Sequence, residues 1–164
     1  MGKKLMFGQK IMLDVGCGEN KQEGFVGMDR RKVKGVDIVH DAEDFPWPLD
    51  DESCAVVSCR HLVEHIKPWL TIQFFDEAWR VLRDGGVMMI VTPYAGSFGF
   101  WQDPTHCNGF NEATFAYFDP EHPSGLYYIY KPKPWKVEHL SWSVVGNIEA
   151  VLRKRGKYGE DKKE

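Results

Sequence analysis

The chain has 164 residues, 43% of them hydrophobic and 27% charged, which suffices for one ordinary domain with a core and excludes disordered, collagen-like and coiled-coil architectures. Its 21 basic residues are outnumbered by 24 acidic ones, for a net charge of -3, so the overall positive field of a protein that grips nucleic acid by phosphate neutralisation is missing. The longest apolar run, Val87 to Val91, is far short of the roughly 20 residues of a membrane-spanning helix, and Met1-Gly-Lys-Lys leads into no signal-type core. A soluble, cytoplasmic protein with no membrane partner is the expectation. Cys17, Cys54, Cys59 and Cys107 form no C-x-x-C pair and read as reduced thiols.

In chain order, Ile11-Met-Leu-Asp-Val15 reads as a buried strand ending in a tight turn at Gly16-Cys17-Gly18. Phe25 to Met28 and Val36 to His40 are two further short strands, each ending in an acid, Asp29 and Asp41. Ser53 to Cys59 and Val87 to Thr92 complete five parallel strands, whose continuous apolarity suits strands covered on both faces. Between the last two, Pro68 to Arg83 predicts a helix, with Ile72, Phe75, Trp79 and Leu82 on one face and Gly85-Gly86 as its stop. Glu112 to Phe118 reads as a short helix capped by Asn111. Trp135 to Val145 and Ile148 to Arg153 read as a closing antiparallel hairpin turning at Gly146-Asn147.

This pattern predicts an α/β fold: a single-domain, Rossmann-like doubly wound sheet, mostly parallel, with a C-terminal antiparallel hairpin. The domain spans residues 1–153, with an aromatic-rich insertion at 93–135 and a disordered tail at 154–164. Only nine residues join the first strand to the second and six, Arg30 to Gly35, lead from Asp29 to the third. A parallel crossover normally takes a dozen or more. The covering helices must therefore be reduced to turns, leaving part of one sheet face exposed or covered by a partner chain, with a homodimer as one such arrangement.

A glycine turn after one strand and an acid at the end of the next is the general plan for holding a nucleoside at the carboxyl edge of such a sheet. The third glycine of a dinucleotide loop is replaced by Lys21, and Glu19 stands beside the loop, which disfavours pyrophosphate. Asp14, two residues before Gly16, suits a cationic ligand such as the ammonium and sulfonium end of S-adenosylmethionine.

Leu13-Asp-Val-Gly-Cys-Gly18, Gly27-Met-Asp29 and Glu77-Ala-Trp-Arg-Val-Leu-Arg-Asp-Gly-Gly86 resemble a class I S-adenosylmethionine-dependent methyltransferase. Asn20-Lys21, Asp103-Pro-Thr-His106 and Tyr117 to Pro120 are similar to a small branch of the Methyltransferase-11 kind that carries an Asp-Pro-Thr-His motif. The resemblance implies that Asp14, Gly16, Cys17 and Gly18 line the methionine end of the cofactor and that Asp29 holds its ribose. It places Asp41 and Ala42 at the adenine, and Cys59, Arg60 and His61 at the loop facing the sulfonium.

Of 22 aromatic residues, 12 fall between Tyr94 and Trp135. They suit either a lid over the methyl acceptor or a local core that replaces the missing helices. Within this segment His106 could act as a base oriented by Asp103, or the pair could hold the loop together. The spacing of His61, His65, His106 and Cys107 matches no zinc pattern, and no metal is expected. The resemblance implies methyl transfer to oxygen or nitrogen of an acceptor, and the lack of a basic stripe or an appended recognition domain favours a small-molecule or glycan-linked one. The alternatives are a nucleic-acid or protein methyltransferase using Arg30, Arg31, Lys32 and Lys34, and a silent cofactor-binding scaffold subunit.

Overall fold

The computed structural model describes residues 11–156. Seven strands form one sheet: β1 (Ile11–Val15), β2 (Val26–Asp29), β3 (Ile38–Val39), β4 (Cys54–Arg60), β5 (Leu82–Pro93), β6 (Trp135–Trp142) and β7 (Asn147–Lys154). Their order is β3-β2-β1-β4-β5-β7-β6, with β1 to β5 parallel and β7 antiparallel to both neighbours. The strand order reverses direction between β1 and β4, so the carboxyl ends of those two strands flank a crevice.

Both short crossovers lack helices: residues 16–25 and 30–37 are turns and irregular backbone. Polar groups on the strands hold them in place. The Gln22 amide donates to Asp14 Oδ2 at 2.9 Å, and the Gln22 side chain reaches Ser58 Oγ at 2.7 Å. Asp37 Oδ2 accepts from the Gly27 amide and from Lys21 Nζ, both at 2.8 Å. These bonds supply the satisfaction that a covering helix would otherwise give the loop backbone.

Helix α1 (Thr71–Val81) follows a 3₁₀ turn at Pro68–Leu70. It ends two residues before the predicted Arg83 because Leu82 turns extended, with ψ 136°, and pairs with Cys54 at the start of β5. Gly85-Gly86 therefore lies inside the strand rather than at the helix stop. The buried face of α1 is Phe74, Phe75, Ala78 and Val81. Trp79 is only partly buried and donates its indole N–H to Pro134 O at 3.0 Å.

The aromatic segment divides by depth. It carries α2 (Phe98–Trp101), α3 (Glu112–Ala116), capped by Asn111 as predicted, and α4 (Tyr127–Tyr130). Phe75 stacks on Phe118 with ring centroids 4.1 Å apart and meets Trp135 edge-on, while Phe110 and Phe115 are buried beside them. These inner rings form the local core. Phe98, Trp101 and Tyr130 face outward.

Every β1, β2, β5 and β7 residue of the apolar core between Ile11 and Val15, at Met28, at Met88 and Ile90, and at Ile148, Ala150 and Leu152 lies on the α1 side of the sheet. The opposite face is partly bare, as the short crossovers predicted and against the covering on both faces that continuous apolarity suggested. Met12 is 37% exposed and Met89 42% exposed, and their cross-strand neighbours Val56, Val87 and Val151 are half-buried. The missing crossover helices are the physical reason.

The expected disordered tail does not begin at residue 154. Lys154 is the last residue of β7, is buried, donates to Leu82 O at 2.6 Å and sits 3.8 Å from the Trp79 ring centroid. Arg155 pairs with Asp119 and Glu121. The rest of the proposed tail, residues 157–164, and the Met1-Gly-Lys-Lys start lie outside the described residues.

The Glu77-to-Gly86 run that carries the family resemblance performs a structural task. Buried Glu77 accepts from the Trp47 amide at 2.6 Å and from Arg80 at 2.6 and 2.9 Å. Arg80 in turn donates to Leu49 O, Trp47 O and Asp51. Glu77→Ala leaves a buried amide and a guanidinium without their carboxylate, and a loss of about 3 kcal/mol is expected. Urea denaturation with an unchanged m-value should report it; a loss below about 1 kcal/mol would contradict this account.

Candidate functional site

The Gly16-Cys17-Gly18 turn sits where β1 ends in the crevice. Gly16 and Gly18 have φ of +71° and +51°, the left-handed region that favours glycine. The Gly16 and Cys17 amides both point at Met28 O, at 2.7 and 3.3 Å, which pins the turn to β2. A Cβ on Gly18 would stand 2.8 Å from the Arg31 guanidinium, so only glycine lets that side chain lie across the loop.

Asp29 closes the turn from the β2 side. Its Oδ2 accepts from the Gly18 amide at 2.8 Å, and its Oδ1 accepts from the Arg31 amide and Nε at 2.9 and 3.2 Å. Burial works to raise the Asp29 pKa, but the hydrogen bonds from Arg31 and Gly18 outweigh it and hold the carboxyl below its ordinary value. The side chain is therefore an anion at neutral pH.

Two cavities open along this edge. The first, of about 500 Å³, is bounded by Asp29, Asp41, Ala42, Glu43, His65 and Thr105, with Gly16, Arg31 and His61 at its inner end. The second, of about 480 Å³, is bounded by Asp14, Cys17, Gly18, Glu19, Asn20 and Arg60, and shares Gly16, Arg31 and His61 with the first. Together they form one bent cleft of small-ligand size. His61 stands at the bend with φ 51°, a conformation rarely adopted by a residue with a side chain. Its amide is bonded to Val91 O at 2.8 Å.

Nine of the ten residues that the family resemblance assigns to a cofactor line this cleft. Cys59 does not: it is fully buried in the core, because alternation along β4 turns it to the α1 side. Arg60 and His61 take the wall instead. On the far side, Asp103 and His106 do not form an oriented dyad. Asp103 Oδ1 accepts from the Thr105 amide and hydroxyl at 2.8 and 2.7 Å, whereas Asp103 Oδ2 stays 3.8 Å from His106 Nε2. His106 lines neither cavity and packs edge-on against His65, with ring centroids 4.7 Å apart. His65 and Thr105 are the groups that reach the wall. In the sequence His65 stood out only as one of the histidines whose spacing matches no zinc pattern.

Residues 20–90 match the family model described as a methyltransferase domain. A protein of Mycolicibacterium smegmatis named a probable S-adenosylmethionine-dependent methyltransferase is 31% identical over 122 residues, which is 62% of this chain and 47% of that protein. The chain thus spans about half the length of this curated relative. A crystal structure of an S-adenosylmethionine-dependent methyltransferase from Archaeoglobus fulgidus superposes with a TM-score of 0.65 at 18% identity, covering 90% of this chain and 87% of that one. The [4+2]-cyclase SpnF also shares the fold, with a TM-score of 0.61 at 13% identity over 92% of this chain and 76% of that one.

Cys17 lies at the mouth of the second cavity with its thiol pushed up to about 11 by burial, helped by the charges of Asp14 and Asp29. Burial likewise raises Cys54 to about 11, and raises Cys59. Alkylation of the native protein at pH 8 should therefore modify Cys107, the exposed thiol. Modification of Cys17 should appear only as the pH approaches 11. Mass spectrometry of iodoacetamide-treated protein reads this directly, and prompt Cys17 labelling at pH 8 would contradict it.

Proposed function

We propose, from a sequence and a fold that both resemble class I S-adenosylmethionine-dependent methyltransferases, that this chain binds S-adenosylmethionine in the bent cleft and transfers its methyl group to an oxygen or nitrogen of a small-molecule or glycan-linked acceptor. The observation that carries this reading is the cleft itself: two cavities joined at Gly16, Arg31 and His61, with a buried acid, Asp14 or Asp29, in each. The bound cofactor supplies an activated methyl group on a positively charged sulfur.

The chain's own groups fit the two ends of such a ligand. Asp14 is 3% exposed and faces the second cavity, where an anion favours the ammonium and sulfonium end. Asp29 is bonded by two backbone amides and one side chain that can swing away, so its oxygens can accept from ribose hydroxyls. Asp41 and Ala42 form the outer wall of the first cavity. The Ala42 carbonyl is held by the Trp47 indole N–H at 3.1 Å, and Asp41 Oδ1 accepts from the Glu43 amide. An adenine edge would meet a wall that is already rigid, which limits the ordering cost of binding.

Methyl transfer depends chiefly on alignment in a dry site. His61 stands at the bend, and His65 lines the first cavity beyond it. Asp103 acts there as a positioning residue through Thr105, whose hydroxyl contacts His65 Nδ1 at 3.1 Å, and His106 supports the His65 ring from behind. The 93–135 segment supplies this side of the cleft. A small acceptor is favoured by the size of the cavities.

Calorimetric titration of S-adenosylmethionine and S-adenosylhomocysteine, in buffer containing EDTA, tests the cofactor site. Micromolar binding to the wild type is expected. Asp29→Ala should weaken it by roughly 30-fold or more, the order seen when a buried charged hydrogen-bond partner is removed. Asp29→Asn, which retains an acceptor for the Gly18 amide, should also weaken it. Folded wild-type protein that binds neither ligand would overturn the proposal.

A further inference from the structure

We propose that Glu64, His65 and His106 bind a divalent transition-metal ion in the wall of the first cavity. One ligand atom from each of these three residues lies within 4.8 Å of the other two. The spacing in sequence conceals the set: Glu64 and His65 follow β4, whereas His106 comes from the aromatic segment after β5.

Glu64 is the independent pointer to a cation. It is 0% exposed, and its Oε2 accepts from the Thr92 hydroxyl at 2.9 Å. Among the described residues Oε1 has no hydrogen-bond partner; the nearest ring nitrogen, His61 Nδ1, is 3.4 Å away. A buried carboxylate oxygen without a donor is costly, and a bound cation removes that cost.

Both histidines are held in the form that a metal requires. His106 Nδ1 is 2.8 Å from Phe100 O, a carbonyl that can only accept, so Nδ1 carries the proton. Thr105 gives its hydroxyl proton to Asp103 Oδ1, so at 3.1 Å the His65 Nδ1 must donate to Thr105 Oγ1. In each neutral imidazole the lone pair then lies on Nε2. A carbonyl or carboxylate-backed partner on the far nitrogen is the usual support for metal-ligating histidines. Asp103 Oδ2 stays 3.8 Å from His106 Nε2, too far for a hydrogen bond that would hold a proton on that nitrogen.

Two imidazoles and one carboxylate favour an ion such as Zn²⁺, Fe²⁺, Mn²⁺ or Co²⁺ and leave coordination positions open. Of the three, His65 lines the first cavity beside Thr105, whereas Glu64 and His106 stand behind that wall, so the ion would border the cleft at His65. One consequence rests on the methyl-transfer reading: an acceptor hydroxyl entering the cleft would coordinate the ion through oxygen and release its proton to water more readily. Metal binding itself stands apart from that reading.

The test is optical and needs no cofactor. The untagged full chain, stripped with EDTA and desalted, is titrated with Co²⁺. Visible d–d absorption should saturate at one ion per chain and vanish when Zn²⁺ is added. His65→Ala, His106→Ala and Glu64→Gln should each weaken Co²⁺ binding by roughly 10-fold or more, while Cys107→Ser should leave it unchanged. Glu64→Gln keeps an acceptor for Thr92, and circular dichroism confirms its fold, so it decides the matter if a histidine variant unfolds. A featureless titration, equal binding by wild type and Glu64→Gln, or loss of the signal in Cys107→Ser alone would overturn the proposal. Because the calorimetry of the cofactor is done in EDTA, failure of either proposal is visible without the other.

Discussion

Two parallel crossovers made without helices constrain most of what is distinctive in this molecule. A parallel connection must carry the chain back across the sheet, and a helix normally does so while satisfying its own backbone. Here residues 16–25 and 30–37 are too few, so side chains of the strands and turns provide the satisfaction. Asp14 accepts from Gln22, Asp29 from Gly18 and Arg31, and Asp37 from Gly27 and Lys21. Acids that hold the loops are thereby placed at the carboxyl edge of the sheet, where a ligand with positive charge and hydroxyl groups would meet them.

The same economy makes the two faces of the sheet unequal. Phe74, Phe75, Phe110, Phe118 and Trp135 bury the α1 side, where α1 and the inner half of the aromatic segment replace what a larger domain would build from several helices. The opposite side keeps Met12 and Met89 exposed. Apolar area of that kind contributes little to stability while it faces water, at roughly 25 cal/mol per Å² forgone. Stability therefore leans on the single buried face and on polar ties such as Glu77 to Trp47 and Arg80.

Strand positions and the glycine turn were legible because buried strands and left-handed turns demand particular residue types. Asp14, Gly16, Gly18 and Asp29 could be placed from spacing, and the structure brings them to one crevice. The end of α1 was not legible: sequence offers Gly85-Gly86 as a stop, but pairing of Leu82 with Cys54 ends the helix first. Cys59 was misplaced because a run of apolar residues in β4 does not reveal which of them face the core. The grouping of Glu64 with His106 was beyond reach altogether. It depends on how the segment after β5 folds back, through bonds from the Cys107 and Asn108 amides to Glu64 O.

Arg31 shows how a site can be both satisfied and available. Without a ligand, a bare Asp29 carboxylate in a half-enclosed cleft would be poorly solvated, and the guanidinium supplies a partner across the cleft. The two backbone amides on the same carboxylate come from Gly18 in the glycine turn and from Arg31 after β2, and do not depend on the Arg31 side chain. Replacement of that side chain by hydroxyl donors therefore never leaves the acid without hydrogen bonds. The Arg31 side chain is 61% exposed, so its release returns a cation to water, while the buried Asp29 keeps its bonds from the Gly18 and Arg31 amides. Strong, fixed bonds to the backbone shape the acid, and one weak, exchangeable bond leaves it free to act.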